Sequence, residues 1–192
     1  ILHKTEIKGV KLNLANKKQV KKAYQEIMNS VKKNFPKANI HGVIIEEMIA
    51  KKYELIIGSK KDEIFGPSIV FGMGGVAVNV FKDSKIGIPP LNMSLAEDLI
   101  KQTKIYQLLK GYRNMKGVNL ELLRFILYKL SYLIVDFPEI KEADINTFSI
   151  DENGGVVIDA KMILDKEYIK KRSKKNKYKH LVISPYPKEY IK

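Results

Sequence analysis

The spacing of apolar residues changes period several times along this chain, and each change marks an element. Val20, Ala23, Tyr24, Ile27, Met28 and Val31 recur at helical intervals behind Asn16, and Gln19 stands three residues after Asn16 as in a capping box. The spacing predicts an amphipathic helix ending before Pro36, with Lys17, Lys18, Lys21 and Lys22 on its solvent face. Ahead of it, Val10-Lys11-Leu12-Asn13-Leu14 alternates like a strand. Behind it, residues 42–49 and 53–59 read as two neighbouring strands, and 61–67 as a turn-rich link. A further β-branched stretch, 68–81, encloses Gly72-Met73-Gly74-Gly75. Helical spacing then returns: Ser94 caps a short helix, a second pattern runs through Tyr106-Gln107-Leu108-Leu109, and Gly111-Tyr112-Arg113 is a stop. Asn119 caps a longer helix that carries Leu122, Leu123, Ile126, Leu127, Leu130 and Leu133 up to Pro138. Finally, residues 144–150 and 156–161 alternate on either side of an Asn153-Gly154 step, which predicts a hairpin.

Composition narrows the classes. With 192 residues, 45% of them hydrophobic, the chain can bury one sizeable core or two small lobes. It has no cysteine, so disulfides and thiolate metal sites are excluded, and it shows neither a membrane-length apolar run nor a signal-peptide pattern. A cytoplasmic protein is the expectation, and an opening at Ile1 without Met fits a domain or fragment of something longer. The net charge of +14 is unevenly spread: residues 1–40 and 166–192 carry +8 each, which leaves the body at −2. The run Lys170-Lys171-Arg172-Ser173-Lys174-Lys175 reads as a solvated linker without the aromatic interleaving of a base-stacking surface, so no nucleic-acid partner is expected.

Three stretches carry candidate chemistry. In the hairpin, pairing can bring Asn146 beside Asp159, giving a neutral oxygen and a carboxylate that suit a hydrated Mg²⁺ whose other ligands are waters and nucleotide phosphates; a surface hairpin with polar ends gives the same spacing. The glycines at 72, 74 and 75 allow close backbone approach and an anion nest, as would a plain glycine-rich hairpin, and they match neither a Walker A loop nor a dinucleotide fingerprint. His3 is a nucleophile by residue type, although a lone histidine is more often structural.

These stretches together resemble one family. "DIN" followed after a turn by "VVIDAKMILD", the "FGPSIVFGMGG" run, the opening "ILHK" that leads into "VKLNL", and "YQLLKGYR" are similar to the ATP-grasp domain of ADP-forming acyl-CoA synthetases, with succinyl-CoA synthetase a more distant relative. The likeness spans His3 to Pro187. It implies an α+β fold, an ATP-grasp domain lacking its N-terminal part, with an antiparallel sheet and packed helices over residues 1–165 and a basic linker and terminal β-segment over 166–192. It also implies roles. His3 becomes a phosphate carrier. Glu47, Met48 and Ile49 form the adenine hinge, and Glu54 holds the ribose. Gly72, Gly74 and Gly75 line the nucleotide, and Asn146 and Asp159 hold Mg²⁺ of the ATP/ADP complex.

The resemblance further implies CoA-binding domains or an α subunit as partners, and Leu181–Pro187 is similar to a junction preceding a GNAT acetyltransferase domain. Four positions depart from the family pattern. Lys8 replaces a glycine, Asn79 an acid, Gly87 an arginine and Thr147 a proline that would follow the metal-binding asparagine in a turn. The resemblance implies that the changes at Asn79 and Gly87 remove a carboxylate and a guanidinium from near the transferring phosphates. The implied activity is that of an acid–thiol ligase. The competing class is a decayed, nucleotide- or acyl-CoA-sensing module that regulates an attached acetyltransferase.

Overall fold

The computed structural model of the protein describes residues 7–75 and 82–170. His3, Asn79, the basic tract beyond Lys170 and the Leu181–Pro187 run lie outside the described residues. The chain divides into two units, residues 1–49 and 50–192.

The first unit is built on helix α1 (Lys17–Asn34). Asn16 caps it by accepting from Gln19 N–H, and the Gln19 side chain reaches back to Ala15 N–H, so the predicted cap is realised by reciprocal bonds. Ala23 and Val31 are its buried residues. Ser30 Oγ donates to the Ile7 carbonyl, and Lys11 pairs with Glu26. The two strands expected here are absent: residues 10–14 and 42–49 form no ladder, and Leu12, Ile44 and Ile45 are exposed. Alternation or apolarity alone makes no strand, because a strand also needs a neighbour to satisfy its backbone, and no described residue pairs with these segments. Lys8 adopts φ 56°, the left-handed region that glycine enters at no cost.

Among the described residues, the second unit is a six-stranded sheet with helices packed on one face. The strands are β1 (Tyr53–Asp62), β2 (Gly66–Met73), β3 (Ser84–Gly87), β4 (Ile140–Ile150), β5 (Gly155–Val157) and β6 (Ala160–Leu164). Their order is β3-β2-β1-β4-β5, with β6 also paired to β4, and every pairing is antiparallel. Alternation on β1 and β2 sends Leu55, Ile57, Ile69 and Phe71 to the helix side, where they are fully buried. They meet Leu91, Leu99 and Ile100 beside and along α2 (Met93–Lys101), Leu109 of the short α3 (Tyr106–Leu109), and Leu123 and Leu127 of α4 (Leu120–Asp136). Each such side chain contributes about 1.5–3 kcal/mol by burial. A last short helix, α5 (Lys166–Lys170), follows β6.

Asn119 caps α4 as its sequence predicts, accepting from Leu122 N–H at 2.9 Å. At α2 the cap is Asn92 and not Ser94: Asn92 accepts from Leu95 N–H at 2.8 Å, so the helix starts one residue before the expected cap. A serine inside the first turn resembles a cap by residue type, and the side chain that reaches a free amide decides.

A buried carboxylate ties the glycine-bearing strand to the helices. Asp83 accepts from the amides of Lys104 and Ile105 at 2.9 and 2.7 Å, and its carbonyl accepts from Met73 N–H at 3.0 Å. Asp83→Ala leaves two amides without an acceptor at a site that is 7% exposed. The expected loss is about 2–4 kcal/mol, read as a lower denaturation midpoint at unchanged slope in urea.

Candidate nucleotide and metal site

The face of the sheet opposite the helices gathers most of the predicted site residues of the second unit. Strand β2 runs through Gly72, which pairs with Ile56 of β1 and Ser84 of β3, and ends at Met73. Gly74 N–H then donates to the Glu54 carbonyl at 2.8 Å. A Cβ on Gly74 would lie 2.4 Å from the Leu55 carbonyl carbon, so only glycine lets the loop lie on β1. Gly75 follows at φ 62°, and a Cβ there would fall 1.8 Å from Glu54 Oε2. The glycine pair and Glu54 therefore share one end of β1. Gly75 N–H points on to β4, where Asn146 Oδ1 accepts it at 3.3 Å.

Asn146 reaches that position because β4 is bulged. Leu55 pairs with Phe148 and Ile57 with Ile145, so Ile56 faces both Asn146 and Thr147. The extra residue lets Ile145 and Phe148, three apart, both turn to the helix side while Asn146 leaves by the other face. Thr147 thus occupies a bulge within a strand and not the turn expected of it. Its carbonyl accepts from Ile158 N–H at 2.8 Å, and Asn146 N–H donates to the Asp159 carbonyl at 3.1 Å. These bonds carry the pairing across the break between β5 and β6, and they set Asn146 directly across from Asp159.

The turn that joins β4 to β5 is held by Asp151. Its carboxylate accepts from Asn153 N–H at 2.9 Å, from Gly154 N–H at 3.0 Å and from Lys51 Nζ at 2.9 Å. Its carbonyl accepts from Asn119 N–H at 3.0 Å, at the cap of α4. The Lys51 ammonium foremost, with the two turn amides, holds the Asp151 carboxyl below the usual carboxylate range.

One acid on this face was not singled out by sequence reasoning. Asp144 lies two residues before Asn146, across from Gly58 on one side and Lys161 on the other. Burial above all, then the carboxylates of Glu142 and Asp159, push its pKa up, while Lys161 pulls it down. The "DIN" wording contains it, and the signal that finds it is strand parity: residues two apart share a face.

Crowded carboxylates beside a neutral amide oxygen form a hard donor set that a divalent cation would relieve. Among the described residues no group of three or more His, Cys or acidic side chains forms a ready metal cage. That combination fits Mg²⁺, which is usually held by one or two carboxylates and completed by substrate phosphates.

Two other expected elements behave differently. Glu47, Met48 and Ile49 belong to the first unit, in irregular backbone, with Met48 half exposed. Gly87, where the family carries arginine, pairs with Ile69 at the end of β3. A Cβ on it would sit 3.3 Å from Leu91 and Leu99, so this position faces the helix side, away from Asn146. The expectation that glycine here strips a guanidinium from the phosphate site is corrected by that orientation.

A glycine-bearing loop lying on β1 beside Glu54, and Asn146 set across from Asp159, come together on an antiparallel sheet whose other face carries the helices, the architecture of a grasp-type domain. Residues 1–164 match the ATP-grasp domain family, and the chain belongs to it. It is 38% identical over 164 residues to the β subunit of acetate–CoA ligase [ADP-forming] I of Pyrococcus furiosus, covering 85% of this chain and 71% of that protein. It is 38% identical over 167 residues to acetate–CoA ligase [ADP-forming] I of Archaeoglobus fulgidus, covering 87% of this chain but 24% of that longer protein. Among solved structures, acetyl-coenzyme A synthetase 1 of Ca. Korarchaeum cryptofilum, in complex with coenzyme A and Ca-AMPCP, matches with a TM-score of 0.79 at 40% identity. The match covers 86% of this chain and 72% of that one. The same enzyme with Mg-AMPPCP, its phosphohistidine segment pointing towards the nucleotide binding site, matches at 0.72 and 36% identity, over 85% and 71% of the two chains. No helix among the described residues is long and apolar enough to cross a membrane.

Two predictions follow from this geometry. Gly75→Ala must leave the left-handed region or displace Glu54, at a cost of about 1–2 kcal/mol, so both the melting temperature and nucleotide affinity should fall together. Asp151 supplies stability that is present above its unfolded value near 3.9 and is lost as pH falls through its lower folded value. Lys51→Met should therefore be less stable than wild type at neutral pH, with the difference closing in acid, as followed by urea denaturation across pH.

Proposed function

We propose that this chain is the nucleotide-handling part of an ADP-forming acid–thiol ligase of the acetate–CoA ligase type. The observation that carries the reading is the convergence of Glu54, Gly74, Gly75, Asn146 and Asp159 on one face of the sheet, joined by the Gly75 N–H to Asn146 Oδ1 contact. In the roles proposed, Glu47, Met48 and Ile49 take the adenine edge, Glu54 the ribose hydroxyls, and Gly72, Gly74 and Gly75 the phosphates. Asn146 and Asp159, with Asp144 beside them, would hold Mg²⁺, which when bound neutralises phosphate charge as the phosphoryl group moves.

His3 is the proposed carrier. Acyl-CoA and phosphate give acyl phosphate and CoA at a CoA-binding partner. The acyl phosphate then passes its phosphoryl group to an imidazole nitrogen, releasing the acid. In the last step the N–P bond breaks while a β-phosphate oxygen of ADP forms the new P–O bond, and the freed ring nitrogen takes up a proton. The partner would be CoA-binding domains or an α subunit, as the name of the Pyrococcus protein, a subunit β, suggests. Residues 1–165 would form the partial ATP-grasp domain and 166–192 a basic linker, with a fused acetyltransferase the finer possibility. A cytoplasmic setting goes with ATP and CoA as substrates.

Lys8 favours a second reading. A lysine held at φ 56° in the carrier loop region, where the family has glycine, costs about 1–2 kcal/mol and stiffens a segment that a working enzyme must move. Together with the missing acid at Asn79, it suits a nucleotide-sensing descendant that controls an acetyltransferase. One experiment separates the two. Intact protein incubated with radiolabelled ATP and Mg²⁺ should acquire acid-labile, base-stable phosphate, lost in His3→Ala together with acyl-CoA formation. A protein that binds nucleotide without ever labelling, and whose acetyltransferase output follows that nucleotide, would establish the sensor.

A further inference from the structure

The charge balance on the site face carries an inference that rests on the nucleotide reading above. Strand register places Asp144, Asn146, Asp159 and Lys161 on this face: Asp144 pairs with Lys161 in the β4–β6 ladder, and Asn146 donates to the Asp159 backbone one step along. Everything here is anionic or neutral apart from the lysine. A nucleoside diphosphate and a phosphoryl group bring several more negative charges, and electrostatic stabilisation is the main thing a protein supplies in phosphoryl transfer.

A cation is therefore needed near the metal pair, and Gly87 does not mark its place, since that position faces Leu91 and Leu99. Among the described residues of the sheet, regular register puts Lys60 and Lys161 on this face, while Lys141, in the irregular start of β4, lies by Asp165 beyond the end of β6. Lys60 stands across from Glu142 on β4 and Ser68 on β2, further along β1 from the glycine loop. Lys161 is exposed and stands two residues beyond Asp159 on the same strand. Its flexible stem and three rotatable donors suit phosphate oxygens.

We propose that Lys161 is a phosphate-holding residue of this site, its ammonium taking the terminal phosphate oxygens of a nucleoside di- or triphosphate whose metal lies between Asn146 and Asp159. While the site is free of nucleotide, Asp144 across the ladder gives the ammonium a counter-charge. On nucleotide binding, the phosphates take over that partnership.

Calorimetry on the intact protein with Mg²⁺ and AMP, ADP or ATP in turn tests this, comparing wild type with K161M, K161R and K60M. Losing a charge-assisted bond should weaken ADP and ATP about ten- to a hundredfold in K161M and leave AMP, which lacks the outer phosphates, unchanged. K161R should keep most of the affinity, and K60M should behave as wild type. The ADP-to-AMP affinity ratio is independent of the fraction of folded protein, so a destabilised variant still reports. An unchanged ratio in K161M overturns the role of Lys161, as does an equal loss in K60M. Wild type that binds none of the three nucleotides overturns the nucleotide reading itself, a failure separate from that of the lysine.

Discussion

One inserted residue in β4 governs both faces of the sheet. Between Ile145 and Phe148 the strand gains a position against Ile56, and the two apolar side chains can then both enter the core. In the same turn of backbone Asn146 is aimed at the opposite face, where it meets the Gly75 amide and lies across from Asp159. A regular strand would have put Asn146 on the same side as Phe148 and Ile150, among buried hydrocarbon, where a primary amide has no partners. Core packing and the site are thus set by one local irregularity, and neither could be changed without the other.

The supports around that bulge are polar and come from distant parts of the chain. Asp151 closes the turn beyond it, binds Lys51 and takes the first amide of the α4 cap, so a helix, a turn and the start of β1 share one residue. Asp83 does the same on the other flank, where it joins the end of β2 to the segment that opens α3. Such buried or half-buried acceptors hold backbone amides that would otherwise be orphaned, and the Asp83 carbonyl pins Met73, from which the glycine loop leaves β2. Rigid elements under a site are what allow a few side chains to keep a useful geometry.

Much of this was legible in the sequence, for reasons that differ by element. The caps at Asn16 and Asn119, the β1 strand and the Asn153-Gly154 turn are local signals that local physics obeys. Residues 42–49 misled because an apolar, β-branched run describes a preference, whereas a strand exists only with a partner. The pairing of Asn146 with Asp159 could be expected, since it depends on a hairpin, but the bulge that orients the asparagine could not, because period-2 reasoning assumes that no residue is inserted. Gly87 shows the same limit: its distance in sequence from the glycine loop suggested the site, and the parity of β3 sends it to Leu91 and Leu99. Asp144 is the opposite case, since strand parity alone places it on the face of Asn146, two residues away.

The steric situation of Gly74 and Gly75 bears on how such a domain would drift under relaxed selection. Gly74 is closed to side chains by the Leu55 backbone, whereas a side chain at Gly75 would meet a left-handed φ and the movable end of Glu54. Selection for folding alone would keep Gly74, and would resist a side chain at Gly75, long after any phosphate had ceased to visit them. Their persistence in a lineage is therefore a record of architecture, and the record of chemistry has to be sought in side chains the scaffold could replace freely, such as an exposed lysine on an edge strand.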